Sequence, residues 1–253
     1  MNTSDPVPSS VPPPATPPAT PSVPASGAGL EMGVAARATY RVLRALLYAV
    51  CRIWFRVSVV GSENVPANGA YILAPGAHRS ILDTPLASLA GPRILRYMGA
   101  ENYFNIPGLG WFLRAMGGFP VERALTDRAA LRAAEAVLDR GEPLVVFPEG
   151  TRQQGPRIEH MKEGAAFLAC RAGVPIVPVG VGGAARAMPK GKRIARPTKV
   201  VLVVGSPLHP PVFGTVDGSR GRVKRSAVRE LTADLRASLQ LLFDEAQQEA
   251  GVD

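Results

Sequence analysis

Cysteine and histidine are scarce in this 253-residue chain, which contains two of the first and three of the second. Cys51 and Cys170 are far apart and neither belongs to a C-x-x-C pair, which excludes a disulfide framework. We therefore expect reduced thiols and a cytoplasmic protein. His78, His160 and His209 are also widely separated, with no cysteine cluster beside them, so we expect no metal site of the structural zinc kind.

A long apolar run is also missing. A transmembrane helix needs roughly 20 consecutive apolar residues, and the stretch 33–57 is interrupted by five arginines. Residues 1–29 are rich in proline, alanine and serine, and they lack the basic start and continuous apolar region of a signal peptide. We predict a disordered tail over 1–29, a basic amphipathic helix within 30–57 and a single domain over 58–253.

The segment 33–57 becomes two-sided when it is wound at about 100° per residue. Arginines on one side and aliphatic residues with a tryptophan on the other are typical of a helix lying in the membrane interface. The alternative is a surface helix with its apolar stripe turned inward and its arginines in water. We favour the membrane helix, because no acidic residue accompanies the arginines. The two sides are Arg37, Arg41, Arg44, Arg52 and Arg56, and Val42, Leu43, Leu46, Leu47, Val50, Ile53 and Trp54.

Acidic residues are outnumbered, since 29 lysines and arginines against 20 aspartates and glutamates give a formal net charge of +9. Such a surplus favours an anionic partner, and anionic lipid, nucleic acid and phosphate-bearing small molecules all qualify. The basic run over 220–225 either adds to the attraction to a membrane or is a solvated loop.

Beyond residue 57, strand-like apolar runs alternate with helical patterns. This alternation predicts an α/β fold, a single layered domain with a mostly parallel or mixed sheet flanked by helices. Strands are predicted over 55–60, 71–74, 93–98, 118–121, 144–147, 174–181 and 199–204, and helices over 85–89, 107–116, 126–140, 162–172 and 224–249.

His78 and Asp83 stand five positions apart, shortly after the predicted strand 71–74. Histidine can accept a proton near neutral pH, and a carboxylate on its other ring nitrogen would set the tautomer and stabilise the imidazolium. Because no serine or cysteine stands in an obvious activating motif, this pair would activate a hydroxyl group of the substrate. The alternative is an ordinary helix start, with Asp83 or Thr84 capping a helix that begins at Pro85.

A second cluster of polar residues follows the predicted strand 144–147 and consists of Glu149, Gly150, Thr151 and Arg152. Ligands in open α/β sheets bind beyond the carboxyl ends of strands. Gly150 permits close approach of the backbone, and Arg152 offers a planar fork for a phosphate. Arg123 ends another strand in the same way, so two arginines could share one phosphate. The alternatives are a local pair between Glu149 and Arg152 and a solvated Arg123.

Residues 180–185 imitate the G-x-G-x-x-A fingerprint of dinucleotide-binding proteins. Pro189 stops any long helix after them, and no acidic residue lies about 20 positions further on. The context therefore excludes a nucleotide cofactor at this position.

Four motifs, in this order, resemble the glycerolphosphate/1-acylglycerol-3-phosphate acyltransferase family, and the similarity runs over residues 57–207. The connecting stretches 61–66 (GSENVP) and 106–110 (IPGLG) are similar to the family as well. The four motifs are His78-x4-Asp83, 117–123 (GGFPVER), 147–152 (FPEGTR) and 174–179 (VPIVPV).

The resemblance implies direct transfer of a fatty acyl group from acyl-CoA or acyl-carrier protein to the sn-2 hydroxyl of 1-acylglycerol-3-phosphate, giving phosphatidate in phospholipid biosynthesis. His78 would be the general base and Asp83 would orient it. The residues implied in acceptor binding are Arg123, Glu149, Gly150, Thr151 and Arg152, and those implied in shaping the site and the place of the acyl donor are Val174, Pro175 and Pro178.

The resemblance also implies that the reaction needs no metal and no cofactor. We expect a peripheral or monotopic protein on the cytoplasmic face of the cell membrane, attracted by anionic lipid, and no nucleic-acid partner.

Three residues depart from the family pattern. Ala77 stands where many members have asparagine, Glu122 replaces the usual aspartate, and Glu101 stands where a lysine is often found. The missing base at position 101 leaves open another lysophospholipid or a phosphoglycolipid as the acceptor. A rival of another class is a non-enzymatic basic protein, whose salt-dependent binding to anionic membranes or nucleic acid would not change when His78 is replaced.

Overall fold

The computed structural model describes residues 33–80, 82–121, 127–189, 194–211, 215–216, 219–220 and 223–252. The tail predicted over 1–29 lies outside these residues, and so do Glu122 and Arg123.

Seven strands form one mixed sheet within the described residues. In order across the sheet they are β1 (Ser58–Val60), β7 (Val201–Val204), β6 (Ile176–Gly182), β2 (Ile72–Pro75), β5 (Leu144–Val145), β3 (Arg96–Ala100) and β4 (Gly118–Val121). β6 and β7 are antiparallel, and every other neighbouring pair in the sheet is parallel. A separate antiparallel pair consists of β8 (Thr215–Val216) and β9 (Ser219–Arg220). The predicted α/β class with a mixed sheet is confirmed.

Helices connect and cover these strands. They are α1 (Val34–Trp54), α2 (Asp83–Ala87), α3 (Glu101–Phe104), α4 (Leu109–Ala115), α5 (Asp127–Asp139), α6 (Gly164–Ala172), α7 (Ala184–Ala187) and α8 (Arg225–Glu249), with a short 3₁₀ turn at Ser62–Asn64. None of the helices in the described ranges is both long and apolar enough to cross a bilayer.

Several strands are shorter than predicted, and the first and fifth show why. The strand expected over 55–60 begins only at Ser58, because Phe55 still donates its N–H to the Cys51 carbonyl and Arg56 turns the chain with a φ of 47°. The strand expected over 144–147 is assigned only through Val145, and the chain then turns into the loop that carries Glu149.

Helix α8 covers the sheet over β6 and β7, and its leucine stripe is buried as its spacing predicts. Gly180 and Gly182 allow it to lie unusually close. A Cβ atom on Gly180 would lie 2.2 Å from the Leu242 carbonyl oxygen, and one on Gly182 would lie 2.0 Å from the Ala246 carbonyl oxygen. The glycines that imitate a nucleotide fingerprint therefore have a packing role in this fold.

Helix α1 turns Tyr40 and Cys51 into the core, which places Arg44 on the inner face as well. Its guanidinium donates to the carbonyl oxygens of Ser88 (2.9 Å) and Gly91 (2.6 Å). Arg44 therefore differs from the exposed arginines of this helix, because residues four and seven positions apart lie on the same face and Arg44 shares the face of Tyr40 and Cys51. Most of the predicted aliphatic side remains exposed, namely Val42, Leu46, Val50, Ile53 and Trp54, whereas Leu43 and Leu47 are half-buried.

Candidate active site

His78 lies just beyond the carboxyl end of β2, in the middle of the sheet. The chain leaves β2 beside β6, where Gly76 donates its N–H to the Val179 carbonyl oxygen at 2.9 Å. Ala77 then adopts a φ of 55°, a left-handed conformation that costs a non-glycine residue roughly 1 kcal/mol or more. Asparagine tolerates this conformation better than alanine does, which gives a physical reason for the asparagine that many family members have there.

The structure brings His78 and Asp83 together. Nδ1 of His78 lies 3.0 Å from Oδ2 of Asp83, and the two side chains are 15% and 1% exposed. Because a carboxylate can only accept hydrogen bonds, a neutral imidazole in this position carries its proton on Nδ1 and a lone pair on Nε2. The phenyl ring of Phe147 packs on the imidazole at a centroid distance of 4.4 Å, which further orients it. The pair is therefore arranged to take a proton at Nε2.

Asp83 also begins a helix, but the expected capping is wrong in detail, because the helix starts at Asp83 rather than at Pro85 and no side-chain hydrogen bond caps it. It is the first residue of α2, and its Oδ2 turns back to accept the backbone N–H groups of Arg79 and Ser80, each at 2.8 Å. One carboxylate oxygen thus accepts from two peptide groups and the imidazole. The other oxygen, Oδ1, is buried and has no hydrogen-bond partner among the described residues.

The loop from Glu149 to Gln153 is fastened to the peptide groups of His78 at both of its ends. The His78 N–H donates to Oε1 of Glu149 at 2.7 Å, and the His78 carbonyl accepts from the Gln153 N–H at 2.9 Å. Two motifs that lie about 70 positions apart in the chain are therefore joined directly. Thr151 and Arg152, which are exposed, lie between the two points of attachment.

Glu149 is 3% exposed, and both of its carboxylate oxygens already accept hydrogen bonds from the protein. Oε2 accepts from Nη1 of Arg79 at 2.7 Å, in an ion pair that is almost wholly buried. Its predicted contact with the acceptor stays a prediction. What the geometry supports is a positioning role, in which Glu149 holds the backbone of His78.

Arg79 is the buried residue at this site that the sequence patterns did not single out. Besides its bond to Glu149, its guanidinium donates to the carbonyl oxygens of Gly155 (3.0 Å) and Arg157 (2.8 Å). It also lies 5.7 Å from the ring centroid of Phe243 in α8. Its position next to His78 is the only signal the sequence offered, and arginine is usually exposed.

The remaining predicted site residues divide into two groups. The predicted sharing of a phosphate by Arg123 and Arg152 rests on a residue outside the described ranges and stays a prediction. Val174 and Pro175 lie just before β6, and Pro178 lies within it, buried beside Ala74 of β2. They therefore border the strand that leads to His78 rather than His78 itself.

Neither cysteine is suited to act as a nucleophile. Burial raises the pKa of the Cys51 thiol and of the Cys170 thiol, which keeps both protonated near neutral pH. His160 and His209 take part in no side-chain hydrogen bond that involves the described residues around His78. In the same ranges, no three histidine, cysteine, aspartate or glutamate residues lie close enough together to hold a metal ion.

Known proteins resemble this chain in sequence and in structure. The 1-acyl-sn-glycerol-3-phosphate acyltransferase of Chlamydomonas reinhardtii is 32% identical over 163 residues, 62% of this chain and 48% of that protein. The enzyme of the same name from Bacillus subtilis is 28% identical over 158 residues, 62% of this chain and 76% of that protein. The crystal structure of the 1-acyl-sn-glycerophosphate acyltransferase PlsC from Thermotoga maritima matches with a TM-score of 0.68 and 27% identity, covering 83% of this chain and 80% of that one.

The chain spans about half the length of several curated relatives that it matches. The profile of the acyltransferase family covers residues 56–182, half of the chain, and that range includes His78, Asp83 and the loop that carries Glu149. The matched range agrees with the fold that the chain shares with a solved acyltransferase, and the contact between the His78 and Glu149 motifs fits both. The chain belongs to the acyltransferase family.

Proposed function

We propose that this protein transfers a fatty acyl group from an acyl thioester to the sn-2 hydroxyl of 1-acylglycerol-3-phosphate, which gives phosphatidate. The observation that carries the proposal is the fixed His78–Asp83 pair, with a free Nε2 lone pair beside a loop that bears Arg152. The names of the relatives from Chlamydomonas reinhardtii and Bacillus subtilis support the same reaction.

The chemistry follows from the arrangement of His78. Nε2 takes the proton of the sn-2 hydroxyl while its oxygen attacks the thioester carbonyl carbon. The C–S bond then breaks, and the thiolate leaves with the proton that the imidazolium returns. Asp83 stabilises the imidazolium between these steps, and general-base action of this kind contributes about 10²–10⁴-fold. The transfer is direct, with no acyl-enzyme and with neither a metal nor another cofactor.

The primary test is thiol release by the purified protein supplied with an acyl-CoA and 1-acylglycerol-3-phosphate. His78→Ala removes the base, so release should fall to background while the circular dichroism spectrum and the melting temperature stay close to wild type. Thiol release by a folded His78→Ala protein at the wild-type rate would contradict the mechanism.

Asp83→Asn tests the negative charge of Asp83 separately from its role in orienting the His78 ring. An asparagine carbonyl in the position of Oδ2 keeps the three hydrogen bonds, and its NH₂ group takes the place of the unpartnered Oδ1. Only the negative charge is lost, so we expect activity to fall about 10²-fold or more with little change in the KM of either substrate. Unchanged activity would reduce Asp83 to a helix-starting residue.

A different lyso-acceptor is the second candidate, and Glu101 favours it. Glu101 is exposed at the start of α3, where the family resemblance leads us to expect a lysine. Values of kcat/KM for a panel of lysophospholipids and phosphoglycolipids would rank the acceptors. A parallel comparison of acyl-CoA with acyl-carrier protein would identify the donor, for which Val174, Pro175 and Pro178 are the proposed neighbours.

We further propose that α1 holds the protein on the cytoplasmic face of the cell membrane by lying in an anionic lipid surface. Its exposed residues Val42, Leu46, Val50 and Ile53 form an apolar strip flanked by the exposed arginines at 37, 41 and 52. Deleting the helix is a poor test, because Tyr40 and Cys51 contribute to the core. Flotation of point variants with vesicles that contain anionic lipid is the suitable experiment.

A further inference from the structure

Lys162 lies on the loop that contacts His78, although it belongs to none of the four motifs. Its backbone N–H donates to the Pro148 carbonyl oxygen at 2.8 Å, which holds the backbone of Lys162 beside the residue that precedes Glu149. Its side chain then runs across Gly150. A Cβ atom on Gly150 would lie 2.9 Å from Cε of Lys162, 3.1 Å from Cδ and 3.3 Å from Nζ. Because Gly150, whose φ is 71°, has no side chain, the Lys162 side chain can pack directly against the backbone of this loop.

The Lys162 ammonium has no acidic partner within 4 Å in the described part of the chain. Glu149 follows Pro148, which Lys162 contacts, but its two oxygens face His78 and Arg79. Glu163, the neighbour of Lys162, has its nearest cation in Arg229 at 3.9 Å. The positive charge on this loop is therefore available to an anion from outside the protein.

The position of this charge suits one part of the proposed acceptor. The loop 149–153 is bonded at both ends to the peptide groups of His78, so a group bound over Gly150 lies beside the residue that carries the imidazole. In 1-acylglycerol-3-phosphate only a short C–C–O link separates the carbon bearing the reacting hydroxyl from the phosphate. A molecule with its hydroxyl at Nε2 can therefore place its phosphate on this loop.

We propose that Lys162 binds the phosphate of the acceptor, together with the guanidinium of Arg152. The inference rests on the proposed function and adds a residue to it. An ammonium on a flexible stem supplies a point charge, and the arginine supplies a planar fork. Lys162 contacts the phosphate and not the reacting atoms, so it is a binding residue and not a catalytic one.

The test compares Lys162→Met with Lys162→Arg and uses Lys224→Met as the matched control. Lys224 is an exposed lysine at the start of α8, and its replacement removes the same charge elsewhere on the surface. All three variants should melt within a few degrees of the wild type, because both lysines are exposed.

For Lys162→Met we expect the KM for 1-acylglycerol-3-phosphate to rise about 10-fold or more, with kcat changed less than about 3-fold. Lys162→Arg should restore most of the affinity, and Lys224→Met should leave it unchanged. Because CoA also carries phosphates, the KM for acyl-CoA is measured in the same variants and should not change. Competitive inhibition by glycerol 3-phosphate should weaken in Lys162→Met by a factor similar to the rise in KM.

Two outcomes would overturn the assignment while leaving the proposed function intact. One is an active wild type whose KM for the acceptor does not change in Lys162→Met, and the other is a rise confined to the KM for acyl-CoA. A wild type that acylates only acceptors without a phosphate would contradict both the function and the role of Lys162.

Discussion

Helices α1 and α8 are the two longest helices of the described chain, and both carry apolar residues at helical spacing. They use those residues differently. In α8 the apolar stripe packs on β6 and β7, and Leu235 and Leu239 are 1% and 0% exposed. In α1 the inward side is narrow, and Leu46 and Ile53 remain 59% and 79% exposed.

This difference shows that hydrophobic periodicity identifies a helix but not the surface that its apolar side will contact. The stripe of α8 has a sheet beneath it and contributes to the folding free energy. The outer strip of α1 contributes little to folding and remains available to another apolar phase. Exposed arginines beside that strip favour an anionic lipid surface as that phase.

The largest expected effect in this comparison is that of Leu239→Ala in α8. Leu239 is fully buried and packs against Gly76, two residues before His78. Truncation leaves a cavity in the core and should lower the free energy of unfolding by about 2–5 kcal/mol. Urea unfolding followed by circular dichroism measures this change, and a cost below 1 kcal/mol would mean that α8 does not support the sheet in this way.

Leu46→Ala in α1 should weaken membrane binding and leave the stability of the fold almost unchanged, the opposite of Leu239→Ala. The substitution removes three carbon groups, each worth about 0.8 kcal/mol when wholly buried in lipid. Because Leu46 is 59% exposed, about 1.4 kcal/mol of this is gained on binding, so partitioning onto anionic vesicles should fall roughly 10-fold. The free energy of unfolding should change by less than about 0.5 kcal/mol. Vesicle flotation and urea unfolding supply the two measurements. Unchanged partitioning together with a large loss of stability would assign Leu46 to the protein core instead.

Arg44→Met tests the inward face of α1. The substitution leaves the carbonyl oxygens of Ser88 and Gly91 without their donor, at a cost of about 1–3 kcal/mol in the free energy of unfolding. Arg41→Met, three residues earlier and exposed, is the matched control and should cost less than about 0.5 kcal/mol. Equal effects of the two substitutions would contradict the distinction between an inner and an outer arginine.

The smallest expected effect is that of Leu241→Ala in α8. Leu241 is 71% exposed, like Leu46, but it stands alone on the outer side of its helix. Neither vesicle binding nor the free energy of unfolding should change by more than about 0.5 kcal/mol. A fall in vesicle binding as large as that of Leu46→Ala would show that membrane contact is not specific to α1.

The sequence predicted most elements of the fold and the pair at the centre of the site. The predicted strand 118–121 coincides with β4, and the helix expected over 224–249 is α8 with one residue fewer. Strong periodicity and nearby glycines explain these successes. The ends of β1 and β5 were missed because apolar residues continue beyond both strands, so the apolar pattern does not mark where each one begins or ends.

The site shows a similar division between local pattern and tertiary contact. His78 and Asp83 are five positions apart, so local spacing was enough to suggest their contact. Arg79 and Lys162 were not suggested, because their partners are brought to them by the fold rather than by neighbouring positions. Arg79 reaches Glu149, 70 positions away, and Lys162 depends on the shape of Gly150.

By itself the sequence determined the α/β class, the four motifs and the identity of the general base that we propose. Those features depend on residue type and short spacing, which physical chemistry translates directly into strands, helix starts and proton acceptors. Only the tertiary structure decided which face of α1 is covered and which cations lie beside the histidine. Both depend on how distant segments pack, because burial and the distance between charges are properties of the folded chain.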